Sequence, residues 1–294
     1  MFYRRKIALA LIQVFGNELE KISLQKLLFL FMKHKQNPEY DFVPYKYGCF
    51  SFSANADLNA LSKKDILEDL NSSYRVTDSV NYLETLKPLD KKRMLELKEV
   101  YGKMNNNSLM KHTYINYPLW ATKSIVAKNL LDEKLYERVV NSIPYNDKTI
   151  LYTIGYEGIS LEEYLMRLIK NDVKVLVDVR RNPLSMKYGF SKTSLSKFCN
   201  AVGVEYVHFP EVGIESEHRQ ELNSQEDYDV LFEKYKQNNL TKTVAIQNKI
   251  LNLLIEKKRI ALTCFEADIC QCHRTHLAEA ISLNPNFSYE VKHI

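Results

Sequence analysis

Residues 173–183, which read VKVLVDVRRNP, indicate most clearly how the second half of the chain folds. An aliphatic run becomes polar at Asp178 and is followed by arginines, an asparagine and a proline. A short apolar run bounded by turn residues is typical of a buried strand. In open parallel sheets, ligands bind beyond the carboxyl ends of the strands. The stretch therefore predicts a buried strand with a polar, ligand-facing end.

Similar apolar runs recur on both sides of this strand, and amphipathic segments separate them. We predict strands at 150–154, 173–179, 204–209, 259–264 and 289–294, and helices at 161–169, 194–202, 228–238, 243–257 and 273–282. Alternating strands and helices imply right-handed crossovers and parallel pairing. Residues 149–294 are therefore expected to form an α/β domain with an open, mainly parallel sheet and flanking helices.

The first half of the chain is mostly helical in pattern. Residues 1–70 show apolar positions at helical spacing, and 74–77 with 80–83 resemble a short hairpin. Helices followed by a small hairpin fit a winged-helix arrangement. We expect a helical, winged-helix-like module at 1–90 and a helical connector at 91–148.

Composition narrows the class of protein. The chain is 45% hydrophobic and 26% charged, and it has no apolar run of about 18 residues, so we expect a soluble protein without a membrane span. Its five cysteines are an odd number, and three of them fall within nine residues. This pattern does not suit a secreted disulfide framework, and no secretory signal is recognisable. We therefore expect a cytoplasmic protein.

The positive charge lies in the first half. Residues 1–150 hold 23 Lys and Arg against 17 Asp and Glu, whereas residues 151–294 hold 18 against 19. A basic domain is attracted to phosphate backbones, which indicates nucleic acid as a partner through the N-terminal half. The alternative is that this charge only aids solubility.

The polar residues of the second half cluster at the predicted carboxyl ends of strands and at the start of the last helix, so we expect them to meet at one edge of the sheet. The predicted catalytic residues are Glu157, Asp178, Glu266 and Cys272. The residues predicted to bind a small anionic ligand are Tyr156, Arg180, Arg181, His208, His273 and Arg274. His218 and Arg219 are expected to lie solvated in a charged loop.

Asp178 and Arg180 lie two residues apart and hence on the same face of a strand. One interpretation is an ion pair that only fixes the following loop. The interpretation that we favour is functional, with Arg180 or Arg181 gripping a phosphate or carboxylate through two hydrogen bonds.

The cysteine-rich segment 264–274 admits several interpretations. Cys272, at a helix N-terminus beside Arg274, is a candidate nucleophile with a lowered pKa. Alternatively, the helix N-terminus and Arg274 hold an anion while Glu266 acts as a base. A third interpretation is a buried cysteine beside a structural Arg–Glu pair.

Zinc bound by Cys264, Cys270, Cys272 and His273 is a less favoured alternative. The spacing C-x5-C-x-C-H departs from the usual C-x2–4-C, and adjacent residues rarely both ligate. We predict no metal and no cofactor.

An ordered set of motifs carries a family resemblance. They are TIGYEG at 153–158, LVDVRRNP at 176–183, GFSK at 189–192, CFE at 264–266 and CHR at 272–274. Residues 150–294 thereby resemble the family called domain of unknown function 488. Cys270 is an addition to that pattern, and Met186 stands where an arginine is expected, which weakens an anion grip by that loop. The resemblance implies a Rossmann-like α/β fold and no particular activity.

The first half carries a second resemblance, through SLQKLLFL at 23–30 and FVPYKYG at 42–48. It looks like the Panacea group of antitoxin-related domains, although Cys49 stands where proline often follows the Tyr-Gly pair. The resemblance implies a helical or winged-helix module used in bacterial defence.

Two functions follow as hypotheses. The first is a bacterial enzyme that acts on nucleic acid or on a modified nucleotide. The second is a DNA-binding regulator or antitoxin-like protein whose α/β domain senses a small anionic ligand. Turnover distinguishes the enzyme from the regulator, which would show only salt-dependent DNA binding.

Overall fold

The computed structural model describes residues 1–215 and 224–294, so His218 and Arg219 lie outside the described residues. The chain divides into two compact units, Met1–Ile143 and Pro144–Ile294. Met94 and Leu97, from the predicted connector, belong to the hydrophobic core of the first unit.

The first unit is mainly helical, as the sequence predicts. Its helices are α1 (Tyr3–Val14), α2 (Lys21–Lys33), α3 (Phe52–Ser62), α4 (Pro88–Tyr101), α5 (Asn106–Asn116), α6 (Pro118–Ala121), α7 (Ala127–Leu130) and α8 (Glu133–Val140), and its strands are β1 (Glu18–Glu20), β2 (Val43–Tyr45), β3 (Gly48–Phe50), β4 (Leu67–Asp69) and β5 (Ser73–Val76). Every residue of α2 from Ser23 to Met32 is buried. A helix that is buried on all sides lies at the centre of its unit.

The hairpin predicted from 74–77 and 80–83 is wrong. Strand β5 instead pairs antiparallel with β1 and β4, in the order β1-β5-β4, and no strand follows it in this segment. The hairpin turn lies on the other side of β5, where Asn71 adopts a left-handed φ of 63°. Asparagine tolerates this conformation, which a tight turn requires. The winged-helix arrangement stays a prediction.

The second unit is an α/β domain with one parallel sheet. Its strands are β6 (Ile150–Gly155), β7 (Val175–Asp178), β8 (Glu205–His208), β9 (Arg259–Cys264) and β10 (Glu290–His293), and its helices are α9 (Leu161–Lys170), α10 (Lys192–Ala201), α11 (Gln225–Tyr235), α12 (Val244–Lys257) and α13 (His273–Ser282). All four pairings are parallel, and the strand order is β10-β6-β9-β7-β8. The predicted open parallel sheet with flanking helices is confirmed.

Helices cover both faces of this sheet. The connections from β6 to β7 and from β7 to β8 run one way across the sheet, and the next two run back. Since crossovers share one hand, the two pairs of connections lie on opposite faces. Residues of α11, α12 and α13 accordingly share a core with Val175, Val177 and Leu262. On the other face, Tyr164 of α9 donates a hydrogen bond to Thr263 of β9 at 2.7 Å.

The connections leave β7 and β9, which are neighbours, in opposite directions: β7 leads to β8, and β9 leads to β10. At such a point the two connecting segments separate and leave a crevice beyond the carboxyl ends of the strands. The fold therefore places the crevice of the second unit beside Asp178 and Cys264, the last residues of β7 and β9.

Helices long and apolar enough to traverse a lipid bilayer do not occur in residues 1–215 and 224–294.

Candidate functional site

A pocket of about 320 Å³ opens at the carboxyl ends of β7 and β9. Three of the predicted binding residues, Tyr156, Arg180 and Arg181, line it together with Cys264. The rest of the lining comes from Asn182, Leu184, Ser185, Ile214 and Phe265. Segments that are more than 80 residues apart in sequence thus meet at one edge of the sheet, because parallel strands bring their carboxyl ends together.

Asp178 and Arg180 form a buried ion pair beneath the pocket. The Asp178 side chain is fully buried and Arg180 is 6% exposed. Oδ1 of Asp178 accepts from Nε of Arg180 at 2.9 Å, and Oδ2 accepts from Nη2 at 2.5 Å. Although burial disfavours its charged form, the hydrogen bonds and charge of Asp178 raise the pKa of Arg180.

The remaining donors of Arg180 hold the pocket wall. Nη1 donates to the hydroxyl of Tyr156 at 2.7 Å and to the carbonyl of Phe190 at 2.9 Å. The rings of Tyr156 and Phe190 are stacked, with centroids 4.3 Å apart. Burial raises the pKa of Tyr156, and Arg180 opposes this effect. Arg180 therefore ties together three segments of the chain, and this geometry suits positioning better than capture of an anion.

His208 lies at the end of β8, in register with Asp178. Its Nε2 is 2.8 Å from the carbonyl oxygen of Arg180, so the imidazole holds the main chain of the same loop. It does not line the pocket.

Tyr206 was missed by the sequence analysis. It donates its hydroxyl proton to Oδ2 of Asp178 at 2.6 Å, and burial and then the Asp178 charge raise its pKa. The sequence does contain a pattern that points to Tyr206. It precedes His208 by two residues in a predicted strand, so the two side chains lie on the same face of that strand.

Four side chains meet behind the pocket wall: Cys264, Glu266, Cys272 and His273. One potential ligand atom from each lies within 4.8 Å of all the others. Both thiols donate to Oε2 of Glu266, that of Cys264 at 2.9 Å and that of Cys272 at 3.1 Å. Cys264, Cys272 and His273 are fully buried. We call this group the thiol cluster.

His273 presents a defined nitrogen to the thiol cluster. Its Nε2 lies 3.1 Å from the carbonyl oxygen of Val179, and its Nδ1 lies 3.5 Å from Sγ of Cys264. A carbonyl only accepts, so Nε2 carries a proton, and in the neutral ring Nδ1 is then an acceptor. Cys270, by contrast, is exposed and lies outside the cluster.

The lowered pKa expected for Cys272 is wrong. Burial, followed by the neighbouring Cys264 and Glu266, raises the pKa of Cys272 well above its ordinary value, and only Arg274 acts in the opposite direction. The sequence indicated the helix N-terminus correctly, because Cys272 is the N-cap of α13. It did not indicate burial, which outweighs the favourable charge.

Arg274 and Glu157 both support the loop after β9. Arg274 is 2% exposed, and its Nη2 donates to the carbonyl of Ala267 at 3.2 Å. Oε2 of Glu157 accepts from the amide of Ala267 at 3.0 Å. Neither side chain lines the pocket, and their predicted roles in binding and catalysis stay predictions.

Arg181 differs from the other two arginines because it is exposed. Its Nη2 lies 3.2 Å from Oε1 of Glu215, and the two side chains are 39% and 52% exposed. Exposed pairs of this kind contribute about 0–1 kcal/mol. Arg181 can therefore exchange its partner for a ligand at little cost.

Comparison with known proteins gives one family. Residues 160–281 match the model of the family described as "Domain of unknown function DUF488", in agreement with the resemblance of residues 150–294. The curated proteins contain no match to the chain. The matched segment includes the whole thiol cluster and every residue that lines the pocket except Tyr156. The DUF488 family model therefore matches the greater part of the second unit, Pro144–Ile294.

Proposed function

We propose that this protein is an enzyme that acts on nucleic acid or on a nucleotide, and that a base or nucleotide binds in the pocket at the carboxyl ends of β7 and β9. The observation that carries the proposal is that one small pocket is lined both by an exposed arginine, Arg181, and by Cys264, which also belongs to a cluster of thiol, imidazole and carboxylate groups.

The size of the pocket supports a small ligand. Its volume of about 320 Å³ lies at the low end of the range of about 300–1,000 Å³ for small-molecule sites. The lining combines an aromatic ring that is 43% exposed, Phe265, with the amide of Asn182. Rings and amides of this kind stack on bases and hydrogen-bond to their edges.

The charge at the pocket supports an anionic ligand. Arg180 is committed to Asp178, Tyr156 and Phe190, whereas Arg181 is exposed and weakly paired. We assign phosphate binding to Arg181 and positioning to the Asp178–Arg180 pair. A planar guanidinium can donate two parallel hydrogen bonds to a phosphate.

The thiol cluster supports catalysis next to this ligand. Glu266 is half-buried and accepts from two thiols, which is the arrangement of a base beside candidate nucleophiles or ligands. We assign acid–base chemistry to Glu266.

The first unit supports nucleic acid as the partner. Residues 1–143 hold 22 Lys and Arg against 16 Asp and Glu. Helices α1 to α3 with the three-stranded order β1-β5-β4 are compatible with the winged-helix module that we propose for it. Such modules dock a helix in a groove of DNA.

The proposal is tested by calorimetric titration of the protein with nucleoside monophosphates. We expect binding that Arg181→Ala weakens by about 1.5–3 kcal/mol, the range of a hydrogen bond to a charged group, whereas the matched variant Arg167→Ala has no effect. Arg167 is also exposed and paired with a glutamate, on α9. Equal loss in both variants, or no binding by the native protein, would contradict the proposal.

Turnover is tested by mass spectrometry of single- and double-stranded DNA and RNA after incubation with the protein. A modified product that disappears with Glu266→Gln supports the enzyme. Salt-dependent binding without any product supports the regulator instead.

A further inference from the structure

The thiol cluster has the composition of a metal site rather than of an ordinary core. It combines two thiols, one imidazole and one carboxylate, and three of the four side chains are fully buried. Buried cysteine usually behaves as a small apolar residue. Two cysteines that converge with a histidine nitrogen and a carboxylate oxygen instead match the donor types that bind transition metals.

The distances between the ligand atoms are close to those around a four-coordinate ion. Metal–ligand bonds of about 2.0–2.3 Å in a tetrahedron place ligand atoms about 3.3–3.8 Å apart. Sγ of Cys264 is 3.5 Å from Nδ1 of His273, and the four atoms lie within 4.8 Å of one another. The two thiols lie at 2.9 and 3.1 Å from Oε2 of Glu266. An ion therefore requires the Glu266 carboxylate to move outward by roughly half an ångström, which its half-buried side chain allows.

The imidazole of His273 is already oriented so that its Nδ1 can ligate an ion. Nε2 of His273 is bonded to the carbonyl of Val179 at 3.1 Å. Metal-binding histidines commonly donate the second ring N–H to a backbone carbonyl, which fixes the ring and its tautomer. The main chain after β7 thus holds His273 with Nδ1 toward the cluster.

We propose that Cys264, Glu266, Cys272 and His273 bind a divalent transition metal, and that this metal is zinc. Two thiolates, an imidazole and a carboxylate in a tetrahedral arrangement favour zinc over the oxygen-seeking ions magnesium and calcium. The ligand set differs from the one weighed from the sequence, because Glu266 takes the place of Cys270. Cys272 and His273 are adjacent, an arrangement that rarely supplies two ligands, but here one atom of each lies within 4.8 Å of all the other ligand atoms. Metal binding is measured without substrate, so its test does not depend on the test of the function proposed above. With zinc bound, Glu266 would ligate the ion instead of acting as a free base.

An ion bound by the thiol cluster would lie next to the pocket. Cys264 contributes both to the pocket lining and to the thiol cluster, and Glu266 is the least buried of the four ligands. A site with Cys2His and a fourth, exchangeable position is a pattern found in catalytic zinc sites. The fourth position here belongs to Glu266.

The first test measures metal content. The full-length protein, purified under reducing conditions and dialysed against zinc and then against buffer, is analysed by plasma mass spectrometry. We expect about one zinc ion per chain. Cys264→Ser and Cys272→Ser should lower the affinity for zinc by more than about 100-fold, beyond the cost of losing an outer partner. Cys270→Ser is the matched control and should retain the metal.

The second test needs no variant. Cobalt(II) added to the native protein should produce a thiolate-to-cobalt charge-transfer band and the intense visible bands of tetrahedral cobalt, and zinc should abolish both. Absence of a sulfur band, absence of bound zinc in the native protein, or equal metal loss in Cys270→Ser would overturn the proposal. Unchanged cobalt bands in Glu266→Gln would remove Glu266 from the ligand set.

Discussion

Asp178→Asn should destabilise the second unit strongly. The carboxylate of Asp178 is fully buried and accepts four hydrogen bonds, three from the backbone and side chain of Arg180 and one from Tyr206. The variant keeps the shape of the side chain but leaves the buried charge of Arg180 without an opposite charge. Removing one partner of a buried ion pair costs about 3–5 kcal/mol. We expect a loss of this size in the free energy of unfolding at pH 7.

Urea unfolding followed by two signals measures this loss. The one tryptophan of the chain, Trp120, lies in the first unit, so its fluorescence reports that unit, whereas far-ultraviolet circular dichroism reports both. The variant should shift the part of the dichroism transition that the fluorescence does not follow. Glu163→Gln, which breaks an exposed pair with Arg167, is the control and should cost less than about 1 kcal/mol. Equal small losses in both variants would refute the reasoning that Asp178 compensates a buried charge.

Three further predictions concern other positions. Burial lowers the pKa of Lys26 below its value in the unfolded chain. Between these two pKa values the unfolded state binds more protons, so the free energy of unfolding rises with pH. Urea midpoints from pH 7 to pH 10 should therefore increase more for the native protein than for Lys26→Met, and parallel curves would contradict this. Gly155→Ala places a Cβ 1.9 Å from the carbonyl oxygen of Glu266; it should lower the free energy of unfolding by about 1–3 kcal/mol and weaken zinc binding. The control is Gly158→Ala, whose Cβ meets no atom of the described residues within 4 Å apart from its chain neighbours but whose φ is +76°. It should lower the stability measured by thermal denaturation by about 1 kcal/mol and leave zinc binding intact. Cys270 is the one exposed cysteine of the five, so a thiol reagent should label a single cysteine rapidly in the native protein, and rapid labelling of two or more would disprove the burial of the others.

The parallel sheet was largely predictable from the sequence, because its three central strands, β6, β9 and β7, are short, mostly apolar runs. The predicted strand at 259–264 coincides with β9, and that at 150–154 falls one residue short of β6. The pairing of Asp178 with Arg180 also followed from their spacing of two. These features depend on residues that are close together in the chain, so they can be predicted from a single sequence.

The order of the strands and the depth of the site were not predictable in this way. Nothing in segments 175–178 and 259–264 says that β9 lies beside β7, although this pairing creates the crevice. The expected pKa of Cys272 was wrong because burial depends on the packing of distant segments. The position of Glu266 was not predictable either, because its contact with both thiols requires the loop after β9 to fold back on α13. The hairpin in the first unit was misplaced because β5 pairs with β4, across the turn at Asn71, and not with the segment that follows β5.

In the second unit the sheet and the loops that line the pocket have separate roles, and this affects how easily its ligand could be changed. The sheet supplies a rigid base, whereas most of the pocket lining comes from the segments after β7 and β9, in which Leu184 and Met186 are 86% and 104% exposed. Side chains that bury almost nothing can be exchanged with little effect on folding, and surface loops tolerate changes in length. We expect that grafting a different 182–188 segment would redirect ligand choice while the β-layer and its ion pair stay as they are.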